Sequence, residues 1–392
     1  MRFRPELPAP VVGFQGEGLL AVGPGEGESV RVYAAPSPAL GVPSIRAVLD
    51  GDRLLVSADG PVDVEVVPGT LGEALARVGD RLSADVDVRP APTVWCTWYH
   101  YFLEVTQDDV LENLRALDAR DVPVDVVQVD DGWQAPGVGD WLTLSDRFSS
   151  LDDLGRSIHD TGRRAGIWLA PFMAGGRSAV AQAHPGWLLG EAGFNWDQPL
   201  HGLDLTHSDV RDHLWTVLRG LRDQGFDYFK LDFLYAGALV GRRHEDVSPV
   251  EAYRSGLELI RDAVGQESYL LGCGAPMLPS IGLVDAMRVS PDTYNPTDAD
   301  DGANPLRGRS CIESRAWQHG RWWVNDADCL IARPGFARRA PWAELIERYG
   351  GLRSSSDRIA DLDTWGLETT RRLLSQAPPP VPFPSLPEEY AR

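Results

Sequence analysis

The feature that most constrains this chain is an alternation that starts at Val94. Short, continuous apolar runs trade places with amphipathic stretches, eight times in about 280 residues. The apolar runs predict strands over 94–99, 124–130, 166–171, 226–233, 268–273, 286–290, 322–325 and 351–354, called strands 1 to 8 below. Helices are expected from 107, over 151–165, from 209 to about 225, over 249–264, near 280, around 314, over 341–349 and over 363–374. Thr106 stands where an N-cap belongs, and Asp109 stands where the helix dipole favours a carboxylate. Strands without polar alternation belong to a sheet covered on both faces. Eight such units predict an α/β fold, a (β/α)8 TIM barrel, rather than a doubly wound sheet with fewer strands.

The flanks read differently. Residues 1–90 form a small β-rich N-terminal region, with strands expected over 30–33, 45–49, 54–57 and 62–67 between Gly, Pro and Asp. The barrel is expected over 91–376, and residues 377–392 read as a proline-rich, extended tail. The glycine-rich run from Gly23 to Gly27 resembles a phosphate loop only superficially, because no helix pattern follows it. No apolar run has the length of a signal peptide or a membrane span. Cys96, Cys273, Cys311 and Cys329 lie far apart without CxxC spacing, which predicts reduced thiols in a cytoplasmic protein.

In a TIM barrel, chemistry sits at the carboxyl ends of the strands. Strand 1 ends in Trp98 and Tyr99, strand 2 in Asp130, Asp131 and Trp133, and strand 3 carries Trp168. Strand 4 ends in Lys230 and Asp232, strand 5 in Cys273 and Gly274. Strand 6 ends in Arg288 and Asp292, strand 7 in Asp326 and Asp328. Carboxylates pair with sugar hydroxyls and indole rings stack on apolar sugar faces, so this rim suits a hexose pocket. Period two puts Lys230 and Asp232 on one face, and Arg288, Ser290 and Asp292 on another if that strand continues. Lys230 is also the single lysine among 37 basic residues, which suits a site that needs a compact ammonium on a flexible stem.

Plainer readings of the same residues stay open. Asp130 and Asp131 suit a turn before Gly132, the tryptophans suit a core, and Asp326 and Asp328 suit caps. Asp204 reads as structural. The eight histidines show no metal spacing, so no metal is expected, although clustered carboxylates could hold a divalent ion. The formal charge of −20 repels phosphate backbones and anionic lipid, so nucleic-acid and membrane partners are not expected. A small neutral oligosaccharide meets no such repulsion.

Seven ordered motifs carry a family resemblance. They are WYHYF at 98–102, VDDGW at 129–133, GIWLAPF at 166–172, FKLDFLYAG at 229–237, LGCGAP at 271–276, MRVSPD at 287–292 and NDADCL at 325–330. Over residues 94 to about 375 the chain resembles the melibiase-type α-galactosidases of glycoside hydrolase family 36. The resemblance implies a retaining hydrolase of terminal α-linked galactose that uses no cofactor. Asp232 would be the nucleophile and Asp292 the acid/base. Asp130 and Asp131 would bind galactose hydroxyls, with Lys230 and Arg288 beside them. Trp168 and Tyr99 would wall the pocket, and Cys273 and Gly274 would pack close to the sugar. Retention needs the two carboxyls about 5–5.5 Å apart, and Asp292 must start protonated, which calls for a raised pKa.

The chain departs from the family at both ends. Only about 90 residues precede the barrel, where family members carry a larger β-sandwich that can complete a neighbouring subunit's pocket. A homo-oligomer is therefore among the partners the resemblance allows. The loop from Thr293 to Ser310 is unusual, with Asp298, Asp300 and Asp301 near Gly302. Two other readings remain: galactosyl transfer to a sugar acceptor at the same site, and a non-catalytic sugar-binding protein.

Overall fold

The structure is a computed structural model and describes residues 11–23, 29–83, 86–135, 137–294 and 304–383. Eight parallel strands form its centre. In chain order they are Val94–Cys96, Val126–Val129, Arg164–Leu169, Phe226–Leu231, Tyr269–Gly272, Ala286–Arg288, Val324–Asp326 and Ser354–Ser355. Neighbours in sequence are neighbours in the sheet, and strand 8 pairs with strand 1. Parallel bridges Asp326–Leu352 and Leu330–Ser355 join strand 8 to strand 7 and close the barrel. Nearly every strand residue is buried, as a sheet lined inside and covered outside by helices requires.

Local sequence explains the helix starts. At Gln107–Ala119, Thr106 Oγ1 accepts from Asp109 N (3.1 Å), and Asp109 Oδ2 accepts from Thr106 N (2.9 Å). At Pro249–Val264, Ser248 and Glu251 form the same reciprocal box, Pro249 occupies the first turn, and Gly265 ends the helix at φ 84°. That helix has the bounds its pattern predicts.

Other bounds differ for physical reasons. Strand 1 ends at Cys96, and Trp98–Tyr101 coils into one helical turn. The helix from Leu151 ends at His159, where Gly162 at φ 79° reverses the chain into strand 3. Strand 6 ends at Arg288, so Asp292 lies on the following loop. An antiparallel sheet of Met173–Gly175, Leu188–Asn195 and Gln198–Leu203 follows strand 3, in a stretch where the pattern showed no strands.

The N-terminal region forms two three-stranded antiparallel sheets, which include all four expected strands. Helix Leu71–Leu82 packs Ala74 and Val78 on Val30, Val32 and Val67. It also meets the barrel, because Trp322 Nε1 donates to Gly79 O (3.0 Å). A Cβ at Gly79 would come within 2.7 Å of the Trp317 ring, so only glycine allows this approach. In the tail, the Phe383 ring stacks on His319 at 4.0 Å. The glycine-rich loop beyond Gly23, the acidic stretch Asp298–Gly302 and the end of the tail lie outside the described residues. No helix among the described residues is long and apolar enough to cross a membrane, and all four cysteines are free thiols.

Candidate active site

The strand ends gather two buried cations, each clamped by carboxylates. Lys230 Nζ donates to Asp130 Oδ2 at 2.8 Å with both side chains buried. The same oxygen accepts from Gln128 Nε2 (2.6 Å) and faces the Cys96 thiol (3.3 Å). Burial works against the ammonium, yet Asp130 outweighs it and holds Lys230 well above the ordinary lysine range. Across the barrel, Arg288 Nε donates to Asp326 Oδ2 (2.8 Å), and Arg288 Nη2 meets Asp328 Oδ1 at 2.6 Å. Burial again opposes the charge, and Asp328 and then Asp326 overcome it.

Close contact with a buried cation, taken together with lone-pair accounting, separates the carboxylates by task. Asp328 Oδ1 also accepts from Cys329 N (2.7 Å), while Oδ2 accepts from Thr293 N (2.7 Å) and the Tyr99 hydroxyl. Both oxygens are occupied and Asp328 is buried, so nothing remains for a ligand. Asp326 Oδ1 accepts from Asp328 N (2.9 Å), so it carries one described donor on each oxygen but is buried against Arg288. Asp130 Oδ2 is likewise taken, and its Oδ1 accepts from Asp131 N (3.0 Å). These three act as counter-charges that hold Lys230 and Arg288.

Three further carboxyls keep capacity and lie outside these close clamps. Asp232 is half-buried just beyond strand 4. Its Oδ1 accepts from Phe233 N (2.7 Å) and its Oδ2 from Trp168 Nε1 (3.1 Å). Phe233 has φ 50°, which turns the chain sharply after the carboxylate. Asp131 is buried, and takes Gln134 Nε2 on Oδ1 (2.6 Å) and Trp196 Nε1 on Oδ2 (3.0 Å). Burial raises its carboxyl to about 7 despite those donors. Among the described residues Asp292 has one polar contact, Arg288 Nη1 at 3.4 Å, and its side chain is 59 % exposed. Its tip is open to water while protein surrounds the rest. That enclosure raises the carboxyl to about 6, with Asp328 adding to the effect, Arg288 opposing it and Asp232 adding a smaller push.

The aromatic residues divide similarly. Trp168 is the ring bonded to Asp232. Trp133 is fully buried behind it, donating to Trp168 O (2.9 Å), and Tyr99 is buried under Asp328. Trp98 is half-buried and packs edge-on against Phe102 at 5.2 Å. Cys273 is buried, and burial pushes its thiol well up. Gly274 sits at φ 55°, where a Cβ would lie 3.5 Å from Asp232 Oδ1. Asp204 anchors a loop instead, accepting from Thr206 N (3.1 Å) and His244 N (2.6 Å).

Sequence reading missed Gln128, Gln134 and Trp196. Period two places Gln128 on the face of Asp130, so that one carried a usable signal. Trp196 carried none, since its hairpin lacks the glycine that usually marks such a turn.

A closed (β/α)8 barrel with one carboxyl just beyond strand 4, hydrogen-bonded to an indole, and another on the loop after strand 6 has the build of the barrel glycosidases. The melibiase family model matches residues 81–254. The α-galactosidase of Thermus thermophilus in complex with p-nitrophenyl α-D-galactopyranoside superposes with a TM-score of 0.77 and 31 % identity, covering 93 % of this chain and 77 % of that one. The same enzyme in complex with stachyose gives 0.74 and 32 %, covering 92 % and 80 %. The bifunctional α-galactosidase/sucrose kinase of Mediterraneibacter gnavus is 29 % identical over 167 residues, 38 % of this chain. α-Galactosidase 2 of Pediococcus pentosaceus is 29 % identical over 163 residues, 39 % of this chain. The matched segments span only 17 % and 22 % of those two proteins. This chain belongs to the melibiase-type α-galactosidases, glycoside hydrolase family 36.

Proposed function

We propose that the chain hydrolyses terminal α-linked galactose from small oligosaccharides with retention, using Asp232 and Asp292. The observation that carries this reading is the contrast between the two carboxyls. Asp232 is held by two N–H donors that leave lone pairs free, as a nucleophile requires. Asp292 is exposed, lightly tethered and raised to about 6, as an acid that must give up and recover a proton requires.

In the first step an Asp232 oxygen bonds to the anomeric carbon as the bond to the leaving oxygen breaks. Asp292 delivers its proton to that oxygen. In the second step Asp292 takes a proton from water, the water oxygen bonds to the anomeric carbon, and Asp232 departs. Lys230 and Arg288 keep positive charge beside both carboxylates, Trp168 fixes Asp232, and Asp131 accepts sugar hydroxyls.

Proton NMR of the first product formed from p-nitrophenyl α-galactoside tests this reading. α-Galactose should appear before mutarotation. First-formed β-galactose would overturn the double displacement, and absence of turnover would overturn the hydrolase reading.

A further inference from the structure

The antiparallel hairpin after strand 3 ends in a two-residue turn, Trp196-Asp197, with φ of 48° and 53°. Two left-handed residues in succession usually call for Asn-Gly, and a bulky side chain there is strained. The tip is braced from several sides. Trp196 N donates to Asn195 Oδ1 (2.9 Å), Arg177 Nη2 to Trp196 O (2.9 Å), and Arg177 N to Gln198 Oε1 (2.9 Å). The result is an indole delivered over the barrel rim. Its Nε1 reaches Asp131 Oδ2, and its ring lies 5.2 Å from Phe233 and 6.4 Å from Trp168, the ring bonded to Asp232.

Strain of this kind persists where the surroundings over-determine it, and it clusters at functional sites. Here the bracing has one product, a donor on one oxygen of Asp131. Gln134 supplies the donor on the other. Each oxygen of an ionised carboxylate accepts about two hydrogen bonds, so each keeps one lone pair. One remaining acceptor site on each oxygen of a fixed carboxylate suits a pair of neighbouring hydroxyls.

We propose that Trp196 is a positioning residue, whose strained hairpin tip orients Asp131 to accept two neighbouring hydroxyls of the sugar and so sets the preference for a sugar carrying that diol. This rests on the glycosidase reading of the pocket. It also means that this chain supplies a pocket wall from its own barrel insertion.

Trp196→Phe keeps a ring and removes the N–H. Two readouts are expected to move, while melting and circular dichroism stay near wild type. In an infrared titration, the Asp131 carboxyl (assigned by its loss in Asp131→Asn) should shift above its wild-type midpoint near about 7, since Trp196 stabilises the ionised form and Asp130 opposes it. The kcat/KM for nitrophenyl α-galactoside should fall about 10-fold, mostly in KM, as expected for loss of a hydrogen bond to a charged group. In Asp131→Asn, the further change Trp196→Phe should add little. Trp196→Tyr serves as the second variant if the phenylalanine protein does not fold. An unshifted titration, or losses that multiply in the double variant, would overturn the proposal. A wild type without hydrolase activity would overturn the enzymatic reading instead, and the titration would still decide whether Trp196 controls Asp131.

Discussion

The two sides of the pocket solve one electrostatic problem in different ways. On the side of strands 2 to 4, Lys230 is clamped by Asp130, and the free carboxylate Asp232 is pinned by Trp168 and the Phe233 amide. On the side of strands 6 and 7, Arg288 is clamped by Asp326 and Asp328, and among the described residues Asp292 hangs from one long contact. Each side buries a cation against carboxylates, and each carries one carboxyl that the proposed mechanism uses. The difference lies in restraint. A nucleophile gains from being fixed on its line of attack, because orientation removes much of the entropic barrier. An acid/base must meet a leaving group in one step and water in the next, and looser tethering permits both.

Short of removing Asp232 itself, the largest expected effect comes from the loosely tethered side. Asp292→Ala should lose about 10²–10⁴-fold on a melibiose-like disaccharide, whose alkoxide needs a proton. On nitrophenyl α-galactoside the first step should suffer far less, and the intermediate should accumulate as a burst. Asp292 acts as acid only when protonated, so the acid's contribution to wild-type kcat/KM should be full below about pH 6 and be lost as pH rises through that value. The variant should lack this alkaline limb. Equal losses on both substrates with the limb intact would break the comparison.

Next in size is Arg288→Met, which leaves Asp326 and Asp328 buried without their cation. Removing one partner of such a cluster costs about 3–5 kcal/mol, readable by denaturant unfolding. Lys230→Met strands only Asp130, which retains Gln128 and the Cys96 thiol, so it should cost less. A reversed order would contradict the assignment of counter-charges.

The smallest is Lys230→Arg, with a drop in kcat/KM of at least ~10-fold, about 1.4 kcal/mol. Charge is retained, so the loss would report the fit of a compact ammonium against Asp130. Wild-type activity would make the lone lysine an accident of composition.

Legibility followed the same division. The barrel strands were readable because burial on both faces leaves unbroken apolar runs, and Asp130, Lys230, Asp232, Arg288 and Asp292 stood out as polar residues at their ends. Their ranks were not readable. Nothing local distinguishes Asp131, with lone pairs to spare, from Asp328, with none, because that depends on Tyr99 and Thr293 arriving from other parts of the chain. Trp168, Trp133 and Tyr99 are all buried, and only their hydrogen bonds, to Asp232, to Trp168 O and to Asp328, tell them apart, which position along a strand does not show. The inserted hairpin was invisible because its register slips twice and its turn uses Trp-Asp, so neither alternation nor turn chemistry marks it.

The central claim is that the pinned carboxylate, Asp232, bonds to the sugar. Asp232→Gly removes that carboxylate and leaves space beside Trp168. The variant should be inactive on nitrophenyl α-galactoside. Added azide should restore part of the activity by occupying the vacated position and attacking the anomeric carbon from the nucleophile's side. The account predicts a β-galactosyl azide. An α-galactosyl azide, or full activity without azide, would contradict it.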